Sequence, residues 1–406
     1  MNADICIIGS GPAGLIAAIT AAQKGGCVVI CESNTTAGRK LLLTGGGRCN
    51  LTNNRDTREF IKAYGEKMSF ARHCIYDFSP QKLIDFFHSL NVPTKTENDG
   101  CVFPLTEKSS NIRDALLAQL KKSAVNIIYD NQVTDIVKEN RLFYVAARRK
   151  SLTASKIIIA AGGLSYPQTG STGDGYRFAE RFGHKIATPK PALVPLVTQQ
   201  TWPKTIAGTA VSGVKITAKI DGSKITSCGD LIFTHNGIGG PAALDFSRLI
   251  TDYLFERKEH LNVSIDLIDS LPEPALENKL LELCEKNPKK SLISVLSALL
   301  PKRLIGILCG IFDFNSDITA NQLAKTGRKK LVKLLKSLPL TITSAGPIAD
   351  AIITRGGVCT GQIDPHTMQS KICPGLFFAG EVIDVDGPSG GYNLQFAFST
   401  GRLAGL

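Results

Sequence analysis

Residues 4–18 read DICIIGSGPAGLIAA and predict a buried strand, a glycine turn and a helix. The apolar run from Ile5 to Ile8 has the length and the β-branching of a strand covered on both faces. Gly9, Gly11 and Gly14 then fit the pattern G-x-G-x-x-G. The first glycine permits a tight turn, the second lets a pyrophosphate approach the backbone, and the third lets helix and strand pack closely. Since a helix N-terminus also attracts phosphates, the stretch predicts a dinucleotide site.

The residues that follow extend this stretch to a complete βαβ unit. A helix is expected from Leu15 to Lys24, and a second strand from Cys27 to Cys31, ending at Glu32. An acidic residue about 20 positions beyond the glycines is where a ribose hydroxyl is held in such sites. A βαβ unit without a ligand is the alternative, and the dinucleotide site is the better interpretation.

Length and composition limit the classes of protein to consider. A chain of 406 residues exceeds what one core usually supports, so two or three domains are expected. No apolar run approaches the about 18 residues that a membrane helix needs, and the first predicted strand occupies the place of a signal peptide. Eleven cysteines are scattered without C-x-x-C pairs or metal-ligand spacing. We therefore expect no metal site, no membrane and a reducing, cytoplasmic location.

The segment from Gly38 to Asn53, GRKLLLTGGGRCNLTN, is the most unusual in the sequence. Helix or strand propensity does not explain three glycines followed by Arg-Cys-Asn. A backbone without side chains over three residues is expected to lie against a ligand. Arg39, Lys40 and Arg48 would there complement the charge of phosphates. A solvent loop is the alternative.

Three further stretches return the chain to the same fold. The run from Lys156 to Gly163 predicts a buried strand that ends in glycines, followed by a loop that leads into a helix from Tyr176 to Phe182. Near the C-terminus, the apolar strand around Phe377 reaches Gly380-Glu381 and an acidic glycine loop, then a final helix of small residues. That helix N-terminus could stabilise negative charge on a reduced ring. A closing α/β unit without a ligand is again the alternative.

The middle of the chain has a different pattern. Three prolines between Pro189 and Pro195 indicate a domain crossing, residues 196–267 favour strands, and residues 274–338 have helical spacing. Twelve Lys/Arg against five Asp/Glu between Leu276 and Leu338 supply +7 of the net charge of +12. One acid-free run consists of Lys325, Arg328, Lys329, Lys330, Lys333 and Lys336. It indicates either a solvated helix face or a nucleic-acid-binding surface.

Taken together, these motifs resemble the flavoproteins of the BaiN/RdsA type, which are NAD(P)/FAD-dependent oxidoreductases. The resemblance covers essentially the whole chain, and its most specific motifs are Gly45 to Asn50 and Gly390 to Asn393. It implies an α/β, Rossmann-like FAD-binding fold of the two-dinucleotide-binding-domain type. It also implies a discontinuous FAD domain (1–190 and 343–406), an inserted β-barrel-like domain (191–270) and an inserted basic helical domain (271–342).

The resemblance also implies the cofactor contacts. FAD would lie with its ADP across the first glycine turn and its ribose on Glu32, and residues 380–395 would close over the flavin. The residues expected to bind it are Gly9, Gly11, Pro12, Ala13, Gly14, Glu32, Ser33, Gly38, Arg39, Lys40, Gly45, Gly46, Gly47, Arg48, Cys49, Asn50, Thr52, Val133, Ala161, Gly162, Gly163, Gly380, Glu381, Asp386, Gly391, Tyr392, Asn393, Leu394 and Gln395.

No second complete strand–G-x-G-x-x-G–helix unit appears, so NAD(P)H is expected to bind transiently and reduce the flavin. Members of the family are associated with dihydrouridine formation in 23S ribosomal RNA, which needs hydride transfer to a C=C bond and a proton. Cys49 and Tyr392 are the candidate proton donors, although Cys49 could equally be a small packing residue. A reductase or oxidase of a small enone or ketone, such as a bile acid, is the alternative. The sequence does not indicate an oligomeric state.

Overall fold

The computed structural model describes residues 2–312, 314 and 318–406. It divides into two compact units. The first unit comprises Met1–Pro191 and Ile348–Leu406, and the second unit comprises Ala192–Pro347. The chain therefore leaves the first unit, builds the second and returns.

The first unit contains these elements: β1 (Asn2–Ile8), α1 (Pro12–Gln23), β2 (Val28–Cys31), β3 (Thr52–Asn53), α2 (Thr57–Lys62), α3 (Met68–Asp77), α4 (Pro80–Ser89), β4 (Thr94–Thr96), β5 (Cys101–Pro104), α5 (Ser109–Lys122), β6 (Asn126–Ile128), β7 (Val133–Glu139), β8 (Leu142–Ala147), β9 (Leu152–Ile159), α6 (Asp174–Arg181) and β10 (Ile186–Ala192), which reaches the junction.

The second unit contains these elements: β11 (Leu196–Thr198), α7 (Trp202–Thr205), β12 (Ala210–Ile220), β13 (Ser223–Phe233), β14 (Gly237–Gly239), α8 (Gly240–Arg257), β15 (Leu261–Asp266), α9 (Glu273–Lys286), α10 (Leu292–Leu296), α11 (Lys302–Ile311), α12 (Lys325–Lys336) and β16 (Leu338–Ala345). The first unit is completed by β17 (Ile353–Val358), β18 (Leu376–Phe378) and α13 (Tyr392–Ala404).

A seven-stranded sheet forms the centre of the first unit, in the order β6-β2-β1-β9-β8-β7, with β18 added beside β9. Strands β6, β2, β1, β9 and β18 are parallel, and β7 and β8 add an antiparallel hairpin. The predicted first strand is buried at its C-terminal half, where Cys6 and Ile7 are fully inaccessible. A mostly parallel sheet with helices is the expected Rossmann-type α/β arrangement.

Helix α1 starts three residues earlier than the sequence pattern predicted. It begins at Pro12 and ends at Gln23 rather than running from Leu15 to Lys24. Proline is favoured at the first position of a helix, because the missing N–H would have no intrahelical partner there. The helix N-terminus therefore follows Gly11 directly.

Six strands of the second unit close into a barrel in the order β11-β14-β13-β12-β15-β16. The last barrel strand, β16, comes after the helical region, so the boundary expected between residues 342 and 343 falls inside a strand. Helices α9 to α12 form an excursion between β15 and β16 and share one hydrophobic core with the barrel. Barrel and helices therefore make one compact unit where the sequence suggested two domains.

Helix α8 was missed by the sequence analysis, which assigned residues 196–267 to strands. Its buried face includes Ala243, Phe246 and Ile250, spaced at three and four residues. The helical period is present in the sequence, but the surrounding β-rich pattern obscured it. Among the described residues, no helix is both long enough and apolar enough to cross a membrane.

Helices α1 and α13 approach each other closely at Gly401. A Cβ atom on Gly401 would lie 2.2 Å from the carbonyl oxygen of Ala13 and 2.6 Å from Cγ2 of Ile16. Both contacts are closer than atoms can pack, so a side chain here would force the two helices apart. The small residues of α13 are thus a packing requirement.

We predict that Gly401→Ala lowers the free energy of unfolding by about 1–3 kcal/mol, the usual cost of overpacking a core. Chemical denaturation of the purified variant measures the change. Gly361→Ala is the matched control, because a Cβ there would meet no atom within 4 Å. Equal stability of the two variants would contradict the close approach.

Candidate cofactor site

A cavity in the first unit lies where the parallel strands end. The residues directly after β1, β2, β9 and β18 all line it, namely Gly9, Glu32, Ala160 and Ala379. The space within it that the centres of water molecules can reach is about 180 Å³, and the cavity opens to solvent. Ligands of open α/β sheets bind at the carboxyl ends of the strands, so this cavity is the candidate cofactor site.

Of the three glycines in the turn, one has room for a Cβ atom and two do not. A Cβ on Gly14 would lie 2.0 Å from the carbonyl oxygen of Gly9, and a Cβ on Gly9 would lie 2.6 Å from that of Ala160. Gly9 also has φ of +98°, which disfavours other residues. A Cβ on Gly11, by contrast, would meet nothing within 4 Å. Gly11 lines the cavity, so the space beside it is what a phosphate group could occupy.

The Glu32 carboxylate is part of the turn itself. It accepts hydrogen bonds from the backbone N–H of Ser10 at 2.9 Å and from the Ser10 hydroxyl. Its other oxygen accepts from the backbone N–H and the side-chain amide of Asn34, at 2.8 and 2.7 Å. Glu32 is buried and lines the cavity. It therefore fixes the glycine turn, and it remains a candidate acceptor for a ribose hydroxyl.

The basic residues of the 38–53 segment separate in the structure. Arg39 donates to Asn34 Oδ1 at 2.6 Å, and Lys40 pairs with Glu381 at 2.6 Å; both line the cavity. Arg48 instead pairs with Glu97 at 2.8 Å and stacks on Phe103, 4.1 Å from the ring centroid. Since Arg48 is not among the cavity-lining residues, its expected role beside the phosphates lacks structural support.

The triple glycine lies in a short 3₁₀ segment, Leu41–Gly47, which is irregular in the middle. Gly45 and Gly46 have φ of +58° and +67°. A Cβ on Gly45 would lie 2.8 Å from the backbone nitrogen of Asn50, so a tight chain reversal requires this glycine. Thr44 lines the cavity, whereas Gly45, Gly46 and Gly47 do not.

Both candidate proton donors are buried. Cys49 is fully inaccessible, with φ of +65°, and burial raises the pKa of its thiol to about 12. The Tyr392 ring stacks on Phe60 at 4.3 Å and is 5% exposed. Neither Cys49 nor Tyr392 is among the described residues that line the cavity. The packing interpretation of Cys49 therefore has the better support.

The C-terminal segment closes the site through α13. Asn393 and Leu394, in the first turn of this helix, line the cavity. The Asn393 amide bonds to both the N–H and the carbonyl of Gly387, at 2.8 and 2.9 Å, and so holds the preceding loop. Gln395 is fully buried and bonds to Thr52 and to the Phe78 carbonyl, at 2.6 and 2.7 Å. Its side chain therefore joins α13 to β3 and to the residue after α3 through hydrogen bonds.

The expected site residues thus divide into two groups. Those that line the cavity are Gly9, Gly11, Pro12, Ala13, Glu32, Ser33, Gly38, Arg39, Lys40, Val133, Ala161, Gly162, Gly380, Glu381, Asn393 and Leu394. Those that do not are Gly14, Gly45, Gly46, Gly47, Arg48, Cys49, Asn50, Thr52, Gly163, Asp386, Gly391, Tyr392 and Gln395.

Sequence reasoning missed several lining residues, chiefly Ser10, Asn34, Gln132, Ile352 and Ile353. Ser10 and Asn34 could have been found, because each lies within two residues of a predicted contact. Ile352 and Ile353 carry no local signal: they belong to the return segment and reach the cavity only through tertiary packing.

The model of the HI0933-like protein Rossmann domain matches residues 3–406 of the chain. The chain belongs to this HI0933-like family. Membership confirms three expectations: the resemblance to this group of flavoproteins, the Rossmann-type FAD-binding fold and the class of FAD-dependent oxidoreductases.

Two curated relatives in this family have different names. A 3-dehydro-bile acid delta(4,6)-reductase of Clostridium scindens is 32% identical over 409 residues, covering 99% of this chain and 98% of that enzyme. A ribosomal RNA dihydrouridine synthase of Escherichia coli is 32% identical over 403 residues, covering 98% and 96%. Equal identity to both does not choose between their substrates.

Solved structures support the fold alone. A 3-ketosteroid delta1-dehydrogenase of Sterolibacterium denitrificans has a TM-score of 0.53 at 13% identity, over 100% of this chain and 98% of that one. A 3-ketosteroid-delta4-(5alpha)-dehydrogenase of Rhodococcus jostii RHA1 has a TM-score of 0.52 at 15% identity, over 100% and 97%.

The basic run of the HI0933-like chain lies on α12 in the second unit, and two of its six members are paired. Arg328 lies 3.5 Å from Glu277, and Lys336 pairs with Asp266 at 2.6 Å and donates to two backbone carbonyls. Lys325, Lys329, Lys330 and Lys333 are exposed. Of the six expected nucleic-acid contacts, these four are therefore the accessible ones.

We predict that Gly11→Ala keeps the unfolding temperature of the cofactor-free protein but weakens FAD binding by at least about tenfold, because its methyl group would occupy the phosphate side of the turn. Thermal unfolding and equilibrium titration with FAD measure the two effects. Gly14→Ala is the contrasting variant, since it should destabilise the fold itself. FAD binding of normal affinity by Gly11→Ala would contradict this placement.

Proposed function

We propose that the protein is an FAD-dependent reductase that takes electrons from NAD(P)H and reduces a C=C bond conjugated with a carbonyl group. A uracil base in ribosomal RNA is the leading substrate. The observation that carries the proposal is the cavity itself, which combines the open Gly11 position, the buried Glu32 carboxylate and the N-termini of α1 and α13.

The residues present fit FAD. The backbone around Gly11 and the start of α1 suit a pyrophosphate, and Glu32 suits an adenosine ribose. Val133 also lines the cavity and would lie beside the adenine. The residues from Lys40 to Thr44, Gly380-Glu381 and Asn393-Leu394 would hold the rest of the cofactor. Once reduced, FAD supplies a hydride.

The chain's own residues would bind and orient both partners of the reaction. The first turn of α13 contributes Asn393 and Leu394 to the cavity wall, and a helix N-terminus favours negative charge nearby. The second product hydrogen must arrive as a proton, and a positioned acid accelerates that step. Tyr392 stays a candidate for it, whereas burial raises the pKa of the Cys49 thiol to about 12 and makes it a poor acid. Solvent entering the open cavity is the remaining source.

Both relatives' names describe compatible chemistry. A 3-dehydro, delta(4,6) compound and a uracil each carry a C=C bond conjugated with a carbonyl group, and both names denote addition of hydrogen to such a bond. Reduction of a conjugated C=C bond is therefore the common element, whichever substrate this chain uses. NAD(P)H is proposed as the electron source because the resemblance to NAD(P)/FAD-dependent oxidoreductases implies it. Transient binding is proposed because the sequence contains no second complete dinucleotide motif.

The exposed lysines of α12 favour RNA as the substrate. Four ammonium groups on one helix, without an acid in the run, suit a phosphate backbone. A base in RNA must also leave its stack to meet a flavin. The small-molecule alternative rests on the equal identity to the bile-acid reductase, and it leaves these lysines as a solvated face.

We predict that ribosomal RNA from a strain lacking this protein loses dihydrouridine, and that the wild-type gene restores it. Mass spectrometry of nucleosides from digested 23S RNA measures the content. The Gly11→Ala gene is the matched control, and it should restore little. An unchanged dihydrouridine content in the deletion strain would favour the small-molecule alternative.

We predict that replacing Lys325, Lys329, Lys330 and Lys333 with glutamine weakens binding to deproteinised ribosomal RNA. The plot of log K against log salt should become less steep, its negative slope shrinking by about three in magnitude. Each phosphate contact on single strands contributes roughly 0.7 to that magnitude. Filter binding across salt concentrations measures it.

The control for this quadruple variant removes four other exposed lysines of the same unit, Lys204, Lys219, Lys224 and Lys258. It changes the net charge equally and should leave most of the affinity. Equal losses in the two variants would show that overall charge, rather than α12, attracts the RNA.

A further inference from the structure

Three distant parts of the first unit meet in a polar cluster at the cavity wall. Lys40 Nζ donates to Glu381 Oε2 at 2.6 Å and to the Ser165 hydroxyl at 2.6 Å. The Ser165 hydroxyl in turn donates to Glu381 Oε1 at 2.8 Å, and the Thr354 backbone N–H donates to the same oxygen at 2.9 Å. The Lys40 ammonium is therefore held by partners from the 165 loop and the C-terminal segment.

The cluster leaves Lys40 with one donor to spare. An ammonium group has three N–H bonds. Within the described residues Ser165 and Glu381 accept two of them, and the Tyr166 ring centroid lies 5.9 Å from Nζ without offering an oxygen or nitrogen acceptor. The side chain is 21% exposed, and Lys40 lines the cavity. A charge in this half-buried position acts more strongly on a neighbour than one in bulk water.

The other cations of the segment do not compete for this role. Arg39, the second cation lining the cavity, is exposed and bonded to Asn34 beside Glu32. Arg48 is paired with Glu97 and does not line the cavity. Lys40 is thus the half-buried cation that the described residues bring to the cavity wall.

A flavin gains negative charge when it is reduced, so a fixed charge nearby changes the stability of the two redox states unequally. A cation favours the reduced state and an anion disfavours it. Because Lys40 and Glu381 both line the cavity, the net effect of the pair depends on which charge the ring experiences more strongly. The spare N–H of Lys40 makes the cation the group that can contact the cofactor directly.

We propose that Lys40 contacts the flavin cofactor and stabilises its reduced, negatively charged state, and that Ser165 and Glu381 are positioning residues that hold the ammonium group there. This inference rests on the proposed function, because it requires FAD in the cavity. It adds a redox role to a residue otherwise expected only to bind phosphate.

The two-electron midpoint potential of bound FAD tests the role of Lys40 without any substrate. It is measured anaerobically against a dye of known potential. In Lys40→Met the affinity for reduced relative to oxidised flavin should fall at least tenfold, a drop of about 30 mV for a two-electron couple. Glu381→Gln removes the opposing charge but keeps an amide oxygen that can accept from Lys40, so it should shift the potential the other way. Lys40→Arg keeps the charge and Ser165→Ala removes none, so both should stay closer to the wild type than Lys40→Met.

Three outcomes would overturn the inference. One is FAD bound by Lys40→Met at the wild-type potential. If Lys40→Met fails to hold FAD, an unshifted potential in Glu381→Gln is the second. Loss of FAD by both variants, with the fold intact, is the third, because the pair would then serve cofactor binding alone. A wild-type protein that binds no FAD would instead count against the proposed function.

Discussion

The contact between three backbone segments at the first glycine turn is the constraint on which the rest of the structure depends. Gly9 lies against the carbonyl of Ala160 at the end of β9, and Gly14 lies against the carbonyl of Gly9. This packing brings the start of α1 to the ends of the parallel strands. The Glu32 carboxylate then ties the turn to the end of β2 through Ser10. A cavity with an open position at Gly11 results from these contacts.

Two adjacent basic residues, Arg39 and Lys40, link the segment after β2 to two acidic groups of this cavity. Arg39 reaches Asn34, which is bonded to Glu32, while Lys40 reaches Glu381. The segment therefore connects the part of the site built near the N-terminus with the part built near the C-terminus. This explains why a chain interrupted by a second unit of about 150 residues can still form one site: the polar contacts join its two ends.

Much of the fold and about half of the site were predictable from sequence, because local patterns encode them. The glycine spacing, the buried strand before it and Glu32 identify the nucleotide end through rules of backbone geometry. Cys49 and Arg48 show the limit: motif membership placed them near the cofactor, but tertiary packing buries one and pairs the other with Glu97. Ile352 and Ile353 show the converse, since only the folded chain brings them to the cavity. Helix α8 was missed because it lies within a run of strand-like pattern, and β16 was missed because it directly follows the helical run and spans the boundary expected between residues 342 and 343.

The central claim is that the first unit holds FAD in this cavity and that NAD(P)H reduces it there. The most direct test follows the absorbance of protein-bound flavin during anaerobic stopped-flow mixing with NADH or NADPH. We predict that the purified protein carries FAD and that at least one of the two nucleotides bleaches its flavin absorbance. A protein that binds no FAD, or a bound flavin whose absorbance neither nucleotide changes, would contradict it.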